Sequence, residues 1–440
     1  MSRMNRWWIA ALASAALAAG SEEWTSLAPR DEIKPQFSRD ASGALVIEQD
    51  AREGLHGYWR KEFPVIGGKH YEFKARRKVL HVNSPRRSAF VTIEWHHENN
   101  RKVMDDRPLV ERYLKTFPAT TFAEYPEEGT ADERGWTQFR ARYQAPIAAK
   151  KAVVDLHFLW APGGRAEWRD VSLRETAAPA GRRVRMAAVH FRPQGCKTPE
   201  CNCRLFAPLI EKAAVQKADL VVLPETLTYY GTGLTPLQTA EPVPGPSTEY
   251  FGGLARKHGL YIVVGLFERT GHLVYNVSVL LDPNGKVAGK YRKVVLPDGE
   301  WNQGITPGTE YPVFQTRFGK LGMMVCYDGF FPEVARELTR RGAEVIAWPV
   351  WGCNPALARA RAAENHVYLV SSTYEDISRD WMLTAIWDHT GDTIALAKQW
   401  GEVAIAEVDL DARTRWRGLG DFKAKLLHHA PLAVPENRAN

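Results

Sequence analysis

Leu321-Gly-Met-Met-Val-Cys-Tyr-Asp-Gly-Phe-Phe-Pro-Glu333 is the stretch whose reading decides the fold. Leu321 to Val325 is apolar without alternation, as expected of a strand buried on both faces. Pro332 and Glu333 suit the first turn of a helix, where a missing N–H costs nothing and a carboxylate meets the positive end of the dipole. Val334-Ala-Arg-Glu-Leu-Thr-Arg-Arg341 continues that helix, with basic residues in its last turn and Gly342 as the stop. Cys326 is therefore expected at a strand exit, just before a helix N-terminus, where the local field lowers a thiol's pKa. Taken alone, such a cysteine reads as a buried structural residue; the flanking chain raises it above that.

Outward from this stretch, helices and strands alternate. Val184–Phe191, Leu220–Leu223 and Tyr261–Val264 read as strands, with helices at Arg204–Gln216 and Thr248–His258 between them. Val274–Leu281 and Lys286–Tyr291 flank Asp282-Pro-Asn-Gly285, a hairpin turn. Beyond Cys326 follow strand Glu344–Trp348, helix Leu357–His366 and strands at Val367–Ser371, Ala385–Trp387, Thr393–Leu396 and Val403–Val408. The pattern is α/β with a mixed sheet. Two more charged residues fall at strand exits: Glu225 in Leu223-Pro-Glu225, and Lys293 in Tyr291-Arg-Lys293. Singly, each reads as a solvated strand end. Together with Cys326 they form a coherent set, in which a carboxylate takes the thiol proton, the thiolate attacks a carbonyl or nitrile carbon, and an ammonium stabilises the developing charge.

These residues resemble the carbon–nitrogen hydrolase (nitrilase) superfamily over roughly Val184 to Leu410. Four motifs agree in order: Asp219-Leu-Val-Val-Leu-Pro-Glu225, Tyr291-Arg-Lys293, Met324-Val-Cys-Tyr-Asp-Gly-Phe-Phe-Pro-Glu333 and Arg359-Ala-Arg-Ala-Ala-Glu-Asn365. The resemblance implies Cys326 as nucleophile, Glu225 as general base, and Lys293 with the backbone N–H of Tyr327 as oxyanion partners. It also implies a second glutamate in the loop after the lysine, where Glu300 is the candidate and Asp298 the competing choice. The implied fold is an α-β-β-α sandwich that pairs into a homo-oligomer. Tyr327-Asp328 after the nucleophile resembles amidases and carbamoyl-amide hydrolases rather than nitrile-hydrolysing members, which carry Trp-Glu. His190 stands where a glutamine is common, and no role is attached to it. The substrate implied is a small linear amide or N-carbamoyl compound, and the chemistry requires no cofactor and no metal. Acyl transfer by the same residues, or an exported binding protein with an inactive hydrolase domain, remain open alternatives.

The first part of the chain follows a different pattern. Runs at Ala44–Glu48, Tyr71–Arg77, Ala89–His96, Thr137–Tyr143, Val153–Leu159 and Glu167–Leu173 alternate or are β-branched, with Gly- and Pro-rich turns between. This predicts an all-β sandwich over residues 22–178. Val65–Phe73 and Trp168–Leu173 resemble the first and last strands of jelly-roll carbohydrate-binding-like modules, which implies a glycan as partner of this domain. Trp95, Trp136, Trp160 and Trp168 are either sugar platforms or core. His96-His97-Glu98 is discounted as a metal cluster, since adjacent strand residues face opposite ways. Ala177-Ala-Pro-Ala-Gly181 is a linker of small residues, and the hydrolase domain is expected over 183–440.

Met1 to Gly20 reads as a signal peptide. Arg3 and Arg6 precede an Ala-rich apolar core over Trp7–Ala19 that is too short to span a bilayer, and no other segment is apolar enough to do so. A periplasmic or secreted protein is the expectation. In that compartment a disulfide joining Cys196 to Cys201 or Cys203 is favoured over a zinc site, because Cys-x4-Cys-x-Cys lacks a fourth ligand. The net charge of +7 is dispersed without the Lys/Arg block that marks a nucleic-acid arm, which favours a solvated surface.

Overall fold

Two kinds of strand build this chain, half-buried ones that alternate and doubly buried ones that do not, and they separate into two units. The computed structural model describes residues 23–111, 115–379 and 381–431. The signal peptide expected over Met1–Gly20 lies outside the described residues.

Among the described residues, the first unit comprises those up to Pro179 together with those from Arg415 onward. One antiparallel sheet orders Thr25–Leu27, His56–Pro64, Lys151–Leu159 and Ala89–His96. The other orders Gln36–Arg39, Leu45–Glu48, Arg165–Thr176, His70–Leu80, Trp136–Gln144 and Glu127–Ala131. In His70–Leu80 the inward positions are Tyr71, Phe73, Ala75 and Arg77, the strict alternation of a strand with one wet face. Trp59, Ile93, Trp95, Leu156 and Phe158 from the first sheet share a core with Phe73, Phe139, Ala166 and Trp168 from the second. The unit is therefore a β-sandwich. Its strand His56–Pro64 is illegible in sequence because Arg60, Lys61 and Glu62 interrupt the apolar alternation.

Three of the four tryptophans weighed as sugar platforms are core: Trp95 and Trp168 are fully buried and Trp136 nearly so. Trp160 is 54% exposed, with the Arg87 guanidinium 5.4 Å from its ring. His96 Nε2 meets Glu94 Oε2 at 3.1 Å.

The described residues from Arg415 to residue 431, read in the sequence as part of the hydrolase domain, cluster with the first unit. Arg415–Trp416 pairs in parallel with Leu109–Val110 of the first unit. The helix Phe422–His429, capped by Asp421 Oδ1 accepting the Ala424 N–H at 3.2 Å, packs on the helix Pro85–Ser88. With Gly420–Asp421, which pairs antiparallel to Arg415–Trp416, these short strands form a small three-stranded sheet of their own.

The second unit is Ala180–Thr414. Its first sheet runs Val287–Arg292, Leu273–Leu281, Tyr261–Thr270, Leu220–Val222, Arg183–His190, Glu402–Asp409; its second runs Val313–Gln315, Lys320–Met323, Val345–Pro349, Tyr368–Ser372, Ala385–Trp387, Thr393–Leu396. Each has a parallel centre and antiparallel flanks. Val184, Met186 and Ala188 share a core with Leu321, Met323 and Leu369 of the other sheet. Their neighbours Ala187 and Val189 face Phe206, Ile210, Phe251 and Ala255 of helices Pro199–Val215 and Pro246–His258. Helices Pro332–Arg340 and Pro355–Asn365 pack together on the second sheet. The order is α-β-β-α, and it explains the unbroken apolar runs, since both faces of each central strand are covered.

The helix expected from Arg204 begins instead at Pro199, where Thr198 Oγ1 accepts the Cys201 N–H at 3.3 Å. Cys201 and Cys203 thus ride on a helix and not in a loop. Two positions apart on a helix means about 200° of rotation, so only one of them can face Cys196. Cys201 makes the disulfide with Cys196. Cys203 turns inward, its thiol donating to Ser247 Oγ at 3.6 Å.

Candidate active site

Three strand exits bring the expected residues together. Glu225 follows Leu220–Val222, Lys293 follows Val287–Arg292, and Cys326 lies three residues beyond Lys320–Met323. Glu300 comes from the short helix Asp298–Trp301 in the next loop. Lys293 Nζ donates to Glu300 Oε1 at 2.6 Å and to Glu225 Oε1 at 3.0 Å. Asn276 Nδ2 bridges the same two oxygens at 2.8 Å to Glu225 and 3.0 Å to Glu300. Glu225 Oε2 accepts the Trp351 N–H at 2.8 Å. Of the two candidates for the second glutamate position, Glu300 joins the set. Asp298 is exposed and bonds only locally to Trp301 Nε1 at 3.2 Å.

Cys326 opens a single 3-10 turn, Cys326–Phe330, and the α-helix proper starts six residues later at Pro332. Its φ of +40° lies in the left-handed region that a residue with a Cβ avoids. Asp328 holds this bend: Oδ2 accepts the Val325 N–H at 2.8 Å and the Tyr291 hydroxyl at 2.8 Å, while Oδ1 accepts the Val295 N–H at 2.9 Å. Trp348 Nε1 donates to the Cys326 carbonyl at 3.2 Å, and its ring needs the missing side chain of Gly329, where a Cβ would sit 1.9 Å from it. The thiol donates to the Gly352 carbonyl at 3.4 Å.

Burial raises the Cys326 thiol's pKa, and the Glu225 carboxylate raises it further, with Lys293 opposing. The lowered pKa expected from a helix N-terminus is overturned. The α-helix is too far along the chain, and desolvation beside an anion outweighs the local dipole. Burial also acts against the Lys293 ammonium, but Glu225, Cys326 and Glu300 override it and raise its pKa. Burial raises Glu300, against the pull of Lys293. The Asp328 carboxyl is pushed up to about 6, by burial above all. The resting arrangement is therefore a thiol beside an ammonium held between two carboxyl groups, which allows proton transfer to accompany attack.

Aromatic rings stand around this set. Trp351 lies 4.9 Å from Tyr230 and 5.9 Å from Tyr374 between ring centroids. Tyr327, Phe330 and Trp381 form a chain on the elbow side, Trp381 covering Gly352. His190 is remote from the reacting groups in bonding terms: Nδ1 meets Thr384 Oγ1 at 2.9 Å and its ring stacks on Trp400.

Asn276, Trp351 and Tyr374 are contributors that motif reading does not single out. The available signal is a lone amide in an apolar strand at Asn276, since a polar side chain among doubly buried residues must have a partner. Trp351 acts through its backbone N–H, which no side-chain pattern reveals.

A family model described as carbon-nitrogen hydrolase matches residues 185–418. A nitrilase of Pyrococcus abyssi is 36% identical over 239 residues, covering 52% of this chain and 90% of that protein. An omega-amidase NIT2 of Xenopus tropicalis is 30% identical over 255 residues, covering 52% of this chain and 90% of that protein. The crystal structure of Saccharomyces cerevisiae Nit3, a member of branch 10 of the nitrilase superfamily, aligns with a TM-score of 0.47 at 23% identity, covering 60% of this chain and 100% of that one. With more than half its length matched, the chain belongs to the carbon-nitrogen hydrolase family of the nitrilase superfamily.

Proposed function

We propose that this protein hydrolyses a linear, non-peptide amide through an acyl-enzyme on Cys326. The observation that carries the reading is the fully buried Lys293 held between the Glu225 and Glu300 carboxyl groups next to the Cys326 elbow. Glu225 takes the thiol proton as sulfur attacks the amide carbon. The oxygen gains negative charge, which the Lys293 ammonium and the backbone N–H of Tyr327 stabilise. That N–H belongs to the first turn of a helix, where no intrahelical partner exists. The C–N bond then breaks, and the leaving amine departs with the proton held by Glu225. Water attacks the thioester, Glu225 takes its proton, and the carboxylic acid leaves as the thiol re-forms. Glu300 keeps Lys293 charged and aimed. Tyr327-Asp328 and the similarity to proteins named omega-amidase both favour an amide over a nitrile.

Ammonia release from a panel of linear amides, nitriles and N-carbamoyl compounds tests the reaction class; turnover of nitriles alone would overturn it. Glu225→Gln carries the base assignment. Turnover is expected to fall by at least ~10²-fold, while the pH profile of Cys326 alkylation by iodoacetamide moves to lower pH. The sign follows from the anion that raises the thiol being removed. An unchanged profile would show that Glu225 does not act on Cys326.

The β-sandwich unit, by its likeness to jelly-roll modules, serves as an accessory that holds a glycan or other surface ligand, and the protein is exported, which the Cys196–Cys201 disulfide supports. Trp160 offers an exposed indole for such a ligand. If the unit is a tether, residues 180–414 expressed alone retain near-native turnover. A soluble fragment whose turnover collapses makes the sandwich part of the enzyme instead.

A further inference from the structure

The backbone that presents Glu225 is bent. Thr226, the next residue, has φ of +42°, a region that β-branched residues scarcely visit. Gly265 of the strand Tyr261–Thr270 supports the bend from one side. A Cβ there would lie 2.7 Å from Glu225 Cα, from Pro224 O and from Thr226 N. The Gly265 carbonyl also accepts the Leu227 N–H at 2.9 Å.

Tyr374 holds the bend from the other side. Its hydroxyl donates to the Glu225 carbonyl at 2.6 Å. That oxygen belongs to the Glu225–Thr226 peptide, the unit whose rotation would relieve Thr226. Tyr374 is itself fully buried and fixed, with Tyr230 stacked on it at 3.9 Å and Arg192 Nε and Nη2 donating to its carbonyl at 3.1 and 2.7 Å. The preceding Thr373 donates its hydroxyl to the Trp351 carbonyl at 2.7 Å, and Trp351 is the residue whose N–H meets Glu225 Oε2. Thr373 and Tyr374, just past the strand Tyr368–Ser372 of the second sheet, therefore hold Glu225 at both ends. Tyr374 holds the backbone directly, and Thr373 holds the carboxylate through Trp351.

We propose that Tyr374 is a positioning residue, which pins the Glu225–Thr226 peptide in its strained orientation and so keeps the Glu225 carboxylate against Lys293 and Cys326. The proposal rests on Glu225 being the base, and it goes beyond that reading by naming what holds the base in place. Without the hydroxyl, the peptide can rotate to relieve Thr226, and the carboxylate moves with it. A displacement near 1 Å costs about 10²-fold in rate. Glycine adopts positive φ without a steric penalty, so Thr226→Gly removes the reason for the peptide to rotate.

The test uses the full chain with Tyr374→Phe, Glu225→Gln and the double variant Tyr374→Phe/Thr226→Gly. The pH profile of Cys326 alkylation by iodoacetamide is followed by peptide mapping, and kcat and KM by ammonia release from the amide panel. Glu225 and Lys293 are the charged groups that act on the Cys326 thiol. Tyr374→Phe is expected to shift the alkylation profile part of the way toward that of Glu225→Gln, and to lower kcat by about 10²-fold with KM unchanged. The double variant is expected to regain most of both. A packing role alone would lower thermal stability without moving the profile, and adding Thr226→Gly would not restore it. The proposal is overturned if Tyr374→Phe superimposes on the unmodified protein while Glu225→Gln shifts, or if Thr226→Gly restores nothing. If Glu225→Gln itself leaves the profile in place, it is the base assignment that fails.

Discussion

Cys326→Ala is expected to abolish turnover, with a loss on the order of 10⁴- to 10⁶-fold, the scale seen when a covalent nucleophile is removed. The cause is chemical rather than structural. Alanine keeps the Cβ, so the φ of +40° costs what it did before and the three hydrogen bonds to Asp328 remain. Its melting temperature should match the unmodified protein. Cys326→Ser should be nearly as inactive, because an alkoxide is far harder to form than a thiolate at this half-buried site. Cys326→Gly separates strain from chemistry. It has no nucleophile, yet it should exceed the alanine variant in stability by about 1 kcal/mol, since glycine relieves the left-handed bend. Substantial turnover in the alanine variant would remove the covalent mechanism.

Lys293→Met is expected to impair both activity and fold. Loss of the charge near the developing oxyanion should cost at least ~10²-fold in turnover. The side chain is fully buried between two carboxyl groups, so its removal leaves them facing each other without a cation. Breaking a buried pair of this kind costs about 3–5 kcal/mol. The pH dependence then has a definite sign. Glu300, already raised by burial, must take up a proton in the variant. A carboxyl group raised above its unfolded value stabilises the fold at low pH, and that contribution is lost as pH rises through the folded value. The variant should therefore lose least stability, relative to the unmodified protein, at acid pH and most near neutrality. Lys293→Met/Glu300→Gln should recover stability without recovering turnover, a non-additive result expected of groups in one network. Equal losses at pH 5 and pH 8 would mean that the lysine does not balance these carboxyl groups.

The sequence by itself determined the features that are written locally. Unbroken apolar runs at Leu220–Val222 and Leu321–Met323 announce doubly covered strands, because a strand covered on both faces has no reason to alternate. Glu225 and Cys326 are legible because each closely follows such a run, and Lys293 because it directly follows the strand Val287–Arg292; strand exits are where an α/β fold presents side chains. The early alternation and the linker near Ala177 announce a separate β unit for the same local reason. What the sequence could not decide depends on groups far apart along the chain. The hydroxyl that holds the Glu225 backbone lies 149 residues away at Tyr374. The choice of Glu300 over Asp298, of Cys201 over Cys203, and the pairing of Arg415–Trp416 with Leu109–Val110 each depend on which surface folding brings opposite. The Cys326 thiol shows the difference most clearly. Its local sequence argues for acidity, but desolvation and the Glu225 anion act only once the sheets have packed, and they reverse the sign.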